Sequence, residues 1–137
     1  MFKWKEDYSC NIAEIDIQHK KLFKLGEKIY DIVSIKDGFD HYDKIMNALL
    51  ELQKYAIYHF EYEEKLMKQY EFPELEKQKK EHREFVDSII ELGKKDIDEN
   101  QHKISMDILL FIANWIEKHI LKSDMGYKEF LNSKGVF

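Results

Sequence analysis

The sequence predicts an all-α protein, built as an antiparallel up-down-up-down four-helix bundle. The 137 residues include one proline and five glycines, so few residues break helix formation. Apolar residues recur at spacings of three and four in four separate segments, which is the repeat of one helical face. Short polar connections separate these segments, and short connections favour antiparallel packing of successive helices.

Each segment has the length of a bundle helix, and its apolar stripe is expected to face inward. Pro73 suits the opening turn of the third helix, where its missing N–H is not needed. The chain length suits one domain, spanning residues 1–137. The predicted helices cover residues 12–36, 41–69, 73–95 and 103–122, preceded by an aromatic-rich arm (1–11) and followed by a short tail (125–137).

Composition and charge exclude several classes of protein. The 22 basic and 27 acidic residues are interspersed and give a net charge of −5, which argues against a nucleic-acid partner. The apolar runs are too short to cross a membrane, and the N-terminus lacks the apolar core of a secretory signal. The single cysteine, Cys10, cannot form an internal disulfide and fits a reducing compartment. We therefore expect a cytoplasmic protein.

Histidines are distributed unusually along the predicted helices. A single core histidine most often hydrogen-bonds to a neighbour and has no further role. Here every predicted helix carries one on its inward stripe, which indicates a common centre: His19, His59, His82 and His119. The other two fall in or beside predicted loops and are interpreted as surface residues: His41 and His102.

Two carboxylates accompany these histidines. Glu63 follows His59 by four residues, so both side chains lie on the same inward face. A buried carboxylate without a cation costs several kcal/mol, and no lysine or arginine shares this stripe. Asp124 follows His119 by five residues, near the end of the fourth helix. The neighbouring acids lie off this register and are interpreted as solvent-facing: Glu61 and Glu64.

These donors indicate a metal centre. Imidazole and carboxylate ligands admit zinc, manganese, iron and copper. Structural zinc sites favour thiolates and close with four ligands, whereas six or more candidates converge here, which suits two ions better than one. The Glu-x-x-His motifs of ferritin-like bundles are absent from the core histidines. A bundle without metal, in which the histidines are structural, is the remaining alternative.

Four spaced motifs resemble the hemerythrins, specifically the bacterial single-domain type. They occur in the family's order and with its separations, and the resemblance extends from the region of Trp4 to Tyr127. It implies a hemerythrin-like domain that holds two iron ions and binds dioxygen. The motifs are EIDIQHKKL (14–22), HFEYEEKLM (59–67), HREF (82–85) and NWIEKHILKSDMGY (114–127).

The resemblance also implies a role for each matching residue. His19 and His59 would ligate the iron that keeps an open position for dioxygen, and His82 and His119 would ligate the other. The two irons would be bridged by an oxo or hydroxo group and by two carboxylates, Glu63 and Asp124. The apolar oxygen pocket would be formed by Phe60, Trp115 and Ile116, and outer partners of the ligands would be Asp16 and Tyr127.

One position departs from the family pattern. Hemerythrins carry two histidines four residues apart on the third helix, whereas this chain reads QKKEH, with Gln78 in the first place. The register predicts that Gln78 points inward. Its carbonyl oxygen is a candidate iron ligand but a poorer donor than imidazole, and the alternative is a vacant coordination position. We expect the iron pair to assemble and its ferrous form to oxidise faster than with a complete histidine set.

The function expected from this resemblance is reversible dioxygen binding for storage, delivery or sensing. The alternative, which the change at Gln78 favours, is a di-iron oxidoreductase that reduces peroxide or dioxygen with a small electron donor. A signalling or interaction module is a third class, and we expect it least because no output domain is attached. The sequence leaves the oligomeric state open and is compatible with a monomer.

Overall fold

The structure is a computed structural model that describes residues 2–39, 41–94 and 101–137. Within these ranges it consists of helices and connecting segments, with no strand. None of the helices in these ranges is both long and apolar enough to span a membrane. The end of the predicted third helix at residue 95, most of the loop after it and the side chain of His102 lie outside what is described.

Four long helices form the bundle that the apolar periodicity predicts. Each packs on its neighbours in sequence, and the contact between the first and the last closes the ring. The predicted all-α, up-down-up-down class is confirmed. The helices are α1 (Ala13–Val33), α2 (Tyr42–Gln69), α3 (Leu75–Lys94) and α4 (Gln101–Lys118).

The first helix is shorter than predicted. It ends at Val33, whereas the sequence interpretation extended it to residue 36. Beyond Ser34 the chain turns through Gly38, whose φ of +77° suits glycine, and the Asp37 carboxylate accepts a hydrogen bond from the Phe39 N–H. These local turn contacts replace the last predicted turn of helix.

The C-terminal tail is helical in the structure. Helix α5 (Met125–Ser133) buries Tyr127 and Leu131, which lie one helical turn apart on the same face. They pack at the end of the bundle where α1 begins and α2 ends. The N–H of Val136 donates to the Leu131 carbonyl, and Gly135 at φ +84° closes the helix in a Schellman motif. Its single turn of apolar contacts gave too short a periodicity to predict.

A π-helical segment, His119–Asp124, joins α4 to α5. In an α-helix, residues five apart point roughly 140° away from each other, because each residue turns about 100°. The wider turn of a π-helix reduces this angle, and such segments are frequent at functional sites. The segment therefore allows His119 and Asp124 to face the same interior.

The N-terminal arm packs on α1. Its Phe2 ring covers Gly26 so closely that a Cβ at Gly26 would lie 2.6 Å from the ring. Trp4 and Tyr8 continue this contact along α1 by packing on Phe23, with ring centroids 6.0 and 5.4 Å away. The arm thus holds α1 in place beside the site described next.

Candidate metal centre

Six inward side chains converge between the four bundle helices. Helix α1 supplies one, α2 two, α3 one and the π-helical segment two, and each is at most 5% exposed. Their potential ligand atoms form two overlapping groups, within each of which all the atoms lie within 4.8 Å of one another. The first group is His19, His59, Glu63 and Asp124, and the second is Glu63, His82, His119 and Asp124.

The two carboxylates belong to both groups. Asp124 lies between the two histidine pairs, with Oδ2 3.1 Å from His19 Nε2 and Oδ1 3.1 Å from His119 Nε2. Glu63 Oε1 lies 2.6 Å from His59 Nε2 and 3.9 Å from His82 Nε2. The structure therefore brings together all six side chains that the sequence selected, with the acids between the imidazoles.

Three of the four imidazoles are oriented through their outer nitrogen. His59 Nδ1 lies 2.6 Å from Gln18 Oε1, while His82 Nδ1 lies 2.9 Å from Glu64 Oε2. His119 Nδ1 lies 2.8 Å from Glu81 Oε2. All three partners are acceptors, so each Nδ1 carries the hydrogen and each Nε2 presents its lone pair to the centre.

The sequence interpretation missed all three of these outer partners. Gln18 is 1% exposed, and its spacing from Ile15 and Leu22 was the available signal that it points inward. The prediction that Glu64 faces solvent is wrong, since its side chain is only 24% exposed and accepts from His82. Nothing in the local pattern marked Glu81, which also accepts a hydrogen bond from the Ser123 hydroxyl at 2.6 Å.

The facing lone pairs require a positive charge between them. His82 Nε2 and His119 Nε2 are 3.0 Å apart, although each Nδ1 already uses its ring's hydrogen. Two neutral imidazoles in this arrangement would repel, so either a proton or a metal cation must lie there. Burial lowers the pKa of His119, but the Asp124, Glu63 and Glu81 carboxylates outweigh it and raise that pKa to about 9.

The carboxylates stay ionised in this interior. Burial raises the pKa of Asp124, but the charges of the nearby His119 and His19 rings hold that pKa well below its usual value. Several inward atoms in the described part of the chain have no hydrogen bond, including Glu63 Oε1, Asp124 Oδ2 and His19 Nε2. His19 Nε2 and Asp124 Oδ2 lie 3.1 Å apart without the geometry of a hydrogen bond. Buried oxygen and nitrogen atoms without a hydrogen bond are suited to be ligands of a bound cation.

The two predicted outer residues make different contacts. Tyr127 donates its hydroxyl hydrogen to Glu63 Oε2 at 2.7 Å, which leaves Glu63 Oε1 for the centre. Asp16 accepts from the Ser9 hydroxyl at 2.5 Å and from the Cys10 N–H at 2.8 Å. Asp16 therefore fixes the N-terminal arm to α1, while Tyr127 contacts a candidate ligand directly.

Replacing Tyr127 with phenylalanine should test the contact with Glu63. The buried carboxylate would lose its hydrogen-bond donor, which we expect to lower the free energy of unfolding by about 1–3 kcal/mol. Urea unfolding of the variant and of the unmodified protein measures the difference. Tyr58→Phe, at a tyrosine that is 53% exposed, is the control and should change stability little. Equal stability of the two variants would contradict a structural role for the Tyr127 hydroxyl.

A small cavity adjoins the first group of donors. The cavity has a volume of about 10 Å³, counted as positions for the centre of a water molecule. This is enough for one very small molecule. His19, His59, His119 and Asp124 form its polar side. The apolar side includes the three predicted pocket residues and is formed by Leu22, Phe60, Phe85, Trp115, Ile116 and Ile120.

Aromatic rings fix two of the imidazoles of the centre. Phe60 stacks on His82 with centroids 4.0 Å apart, and Trp115 stacks on His119 at 4.4 Å. Phe85 supports Trp115 from its other side, with ring centroids 4.1 Å apart. Packing and outer hydrogen bonds thus restrict the same rings.

Two further residues singled out in the sequence are Gln78 and His41. Gln78 is 2% exposed and points inward as its register predicts, with its amide nitrogen 3.5 Å from Asp124 Oδ1. Its carbonyl oxygen has no hydrogen-bond partner in the described ranges. His41 lies at the start of α2, with Nε2 2.9 Å from Asp37 Oδ1, away from the centre.

Comparisons with known proteins agree with this geometry. A bacteriohemerythrin of Clostridium acetobutylicum is 36% identical over 127 residues, which cover 93% of this chain and 98% of that protein. A hemerythrin-like protein of Naegleria gruberi is 30% identical over 130 residues, covering 95% of this chain and 93% of that one. Both span nearly the whole chain.

A solved structure and a family profile complete the comparison. The crystal structure of a leucine-to-phenylalanine mutant superposes with a TM-score of 0.77, covering 93% of this chain and 94% of that one. Its 24% identity supports the fold alone. Residues 10–131 match the profile of the hemerythrin HHE cation binding domain. The chain therefore belongs to the hemerythrin family.

Proposed function

We propose that this protein holds two iron ions between its histidine pairs and binds dioxygen reversibly, for storage, delivery or sensing. The observation that carries the proposal is the sharing of Glu63 and Asp124 by both groups of donors, which suits two ions better than one. The names of the bacteriohemerythrin relatives support the same function. The proposal includes a single domain over residues 1–137 and a cytoplasmic location, because one cysteine offers no internal disulfide.

The donor set fits iron on two grounds. The imidazole nitrogens and carboxylate oxygens suit ferrous and ferric iron, although the same donors admit zinc and manganese. The inward lone pairs of His82 and His119 and the unpartnered oxygens of Glu63 and Asp124 need a cation. His19 and His59 would hold one ion and His82 and His119 the other, with Glu63 and Asp124 available to both.

When bound, the iron pair would supply the electrons and the coordination position that dioxygen needs. The protein's own residues supply orientation. Gln18, Glu64 and Glu81 keep the hydrogen of each imidazole on the outside, which holds each Nε2 toward the centre. Tyr127 keeps the second oxygen of Glu63 engaged, and its pKa is well above the usual value because burial and nearby carboxylates disfavour the phenolate. It therefore remains a donor.

The cavity would provide the space in which dioxygen binds. Its apolar walls, formed partly by Phe60 and Ile116, leave space for one small molecule beside His19 and His59. Such walls exclude bulk water and protons, which would otherwise promote oxidation of the ferrous centre. This arrangement favours binding over turnover.

Anaerobic reconstitution with ferrous iron tests the proposal. We expect two irons per chain by metal analysis, followed by a spectral change on exposure to dioxygen that reverses under vacuum. Failure to retain two irons, or a spectral change that vacuum does not reverse, would contradict reversible binding by an iron pair.

A second candidate function is reduction of peroxide or dioxygen with a small electron donor. It is favoured by the amide of Gln78 at a position where the family pattern has imidazole, since a weaker donor leaves that ion more accessible. Sustained consumption of peroxide and an added reductant by the same reconstituted protein would favour this function.

Filling the cavity should slow the access of dioxygen to the centre without preventing metal binding. Ile116 lines the cavity and is 2% exposed, so Ile116→Phe is expected to occupy the space that a small ligand needs. Overpacking should destabilise the fold by about 1–3 kcal/mol while two irons remain bound. Stopped-flow mixing with dioxygen should show at least severalfold slower association. The exposed Ile57→Phe is the control, and equal rates in both variants would contradict entry through this cavity.

A further inference from the structure

We propose that Gln78 is itself a metal ligand, through its carbonyl oxygen Oε1, and completes the position shared by His82 and His119. This inference rests on the proposed iron pair and deepens it. It also ranks the two ions, because the one beside Gln78 would be held more weakly than the one beside His19 and His59.

The first support is the position of the amide. Two donor atoms about 2.1 Å from one ion, at a right angle, lie about 3.0 Å apart. The pairs His82 Nε2–His119 Nε2, at 3.0 Å, and His119 Nε2–Asp124 Oδ1, at 3.1 Å, have this spacing. The end of the Gln78 amide lies 3.5 Å from the same Asp124 Oδ1, slightly wider than that spacing. Because Asp124 Oδ1 is also the oxygen beside His119 Nε2, the amide lies near the place that a further donor on this side would take.

The second support is an unsatisfied oxygen. Gln78 is 2% exposed, and its Oε1 has no hydrogen-bond partner among the residues that the structure describes. A buried carbonyl without a partner costs about 1–3 kcal/mol. The oxygen and nitrogen of an amide are interchangeable in shape, so turning the amide places Oε1 where Nε2 lies. Beside Asp124 alone the N–H is preferred there, whereas a cation would prefer the oxygen.

The third support is the contrast between the two halves of the site. Each half has two imidazoles and a share in both carboxylates. The remaining side of the His19 and His59 half borders the apolar cavity, which Gln78 does not line. The amide of Gln78 lies instead beside Asp124 Oδ1, the oxygen next to His119 in the other half. One half would thus keep an open position for a small ligand, while Gln78 closes the other.

A neutral amide oxygen binds a borderline metal less strongly than imidazole does. The ion beside Gln78 should therefore be the first to leave. Glu64 and Glu81 partly compensate, because carboxylates at the outer nitrogens hold His82 and His119 in the orientation and tautomer that a metal needs. These carboxylates explain how this half can still hold its ion without a third imidazole.

Titration of the metal-free full chain with cobalt(II) tests the proposal without any oxygen chemistry. Calorimetry and the visible absorption of cobalt should resolve two sites of unequal affinity. Gln78→Leu, of similar size and without a donor, should weaken only the lower-affinity site, by at least tenfold, and alter only its spectrum. Gln78→His should strengthen that site by a similar factor. The exposed Gln69→Leu is the matched control and should change neither.

Gln78→Glu distinguishes ligation from a merely structural contact. It keeps an oxygen in place but removes the hydrogens that Nε2 offers to Asp124. As a ligand, the carboxylate should preserve or strengthen the lower-affinity site. If the amide only orients Asp124, both Gln78→Leu and Gln78→Glu should weaken both sites, because Asp124 lies between them. That result, or unchanged affinities in Gln78→Leu, would overturn the inference while leaving two metals bound. Failure of the unmodified chain to bind two ions would instead overturn the proposed function itself.

Discussion

Replacing Glu63 with glutamine is expected to abolish retention of the proposed iron pair. Glu63 belongs to both groups of donors, and its Oε1 lies 2.6 Å from His59 Nε2 and 3.9 Å from His82 Nε2. The variant keeps the size of the side chain but removes a negative charge that both ions would share. Loss of an outer partner alone typically lowers metal affinity about 10–100-fold, so loss of a shared ligand should cost on the order of 100-fold or more. Iron per chain after desalting measures the effect.

The control for this variant lies two residues away on the same helix. Glu61 is exposed, so Glu61→Gln removes the same charge from the same acidic run without reaching the centre. We expect it to retain two irons per chain. Two irons in Glu63→Gln, or equal losses in both variants, would show that Glu63 is not shared between two ions. Helical content of both variants by circular dichroism separates loss of metal from loss of fold.

The fold followed from local periodicity because each bundle helix is long enough to repeat its apolar stripe several times. The same register placed Gln78 inward, which its burial confirms. The spacing of His59 and Glu63 was equally informative, since residues four apart in an α-helix share a face. Helix α5 could not be predicted in this way, because Tyr127 and Leu131 provide only one repeat.

Other features of the site depend on contacts that no local pattern encodes. His119 and Asp124 share a face because the helix widens between them, and a spacing of five predicts no common face in an α-helix. The contacts from Glu64 to His82 and from Glu81 to His119 cross between elements, so they depend on how the helices are rotated against each other. An acidic run such as residues 61–64 therefore contains one exposed acid, one inward acid and one outer partner.

Removal of the metal is expected to lower the free energy of unfolding by several kcal/mol. A ligand that binds only the folded state stabilises it by about 2.7 kcal/mol at a concentration 100 times its dissociation constant, and two sites roughly double this effect. The structural reason is that Glu63 and Asp124 are buried with unpartnered oxygens that a cation would satisfy. Urea unfolding of anaerobic ferrous protein and of chelator-treated protein measures the difference. Metal added to Glu63→Gln should give little stabilisation, and a gain equal to that of the unmodified protein would place the binding elsewhere.

The stability difference between the two forms should also depend on pH. In protein prepared without metal, the neighbouring carboxylates outweigh burial and raise the pKa of His119 to about 9, above its ordinary value of 6.5. Protonation of His119 therefore stabilises the metal-free fold below pH 6.5, and this contribution is lost as the pH rises through 9. A ligating imidazole must be deprotonated, so metal uptake displaces this proton and becomes stronger over the same range. The difference in unfolding free energy should widen from pH 6.5 to 9, and a difference that stays constant or narrows would contradict His119 as a ligand.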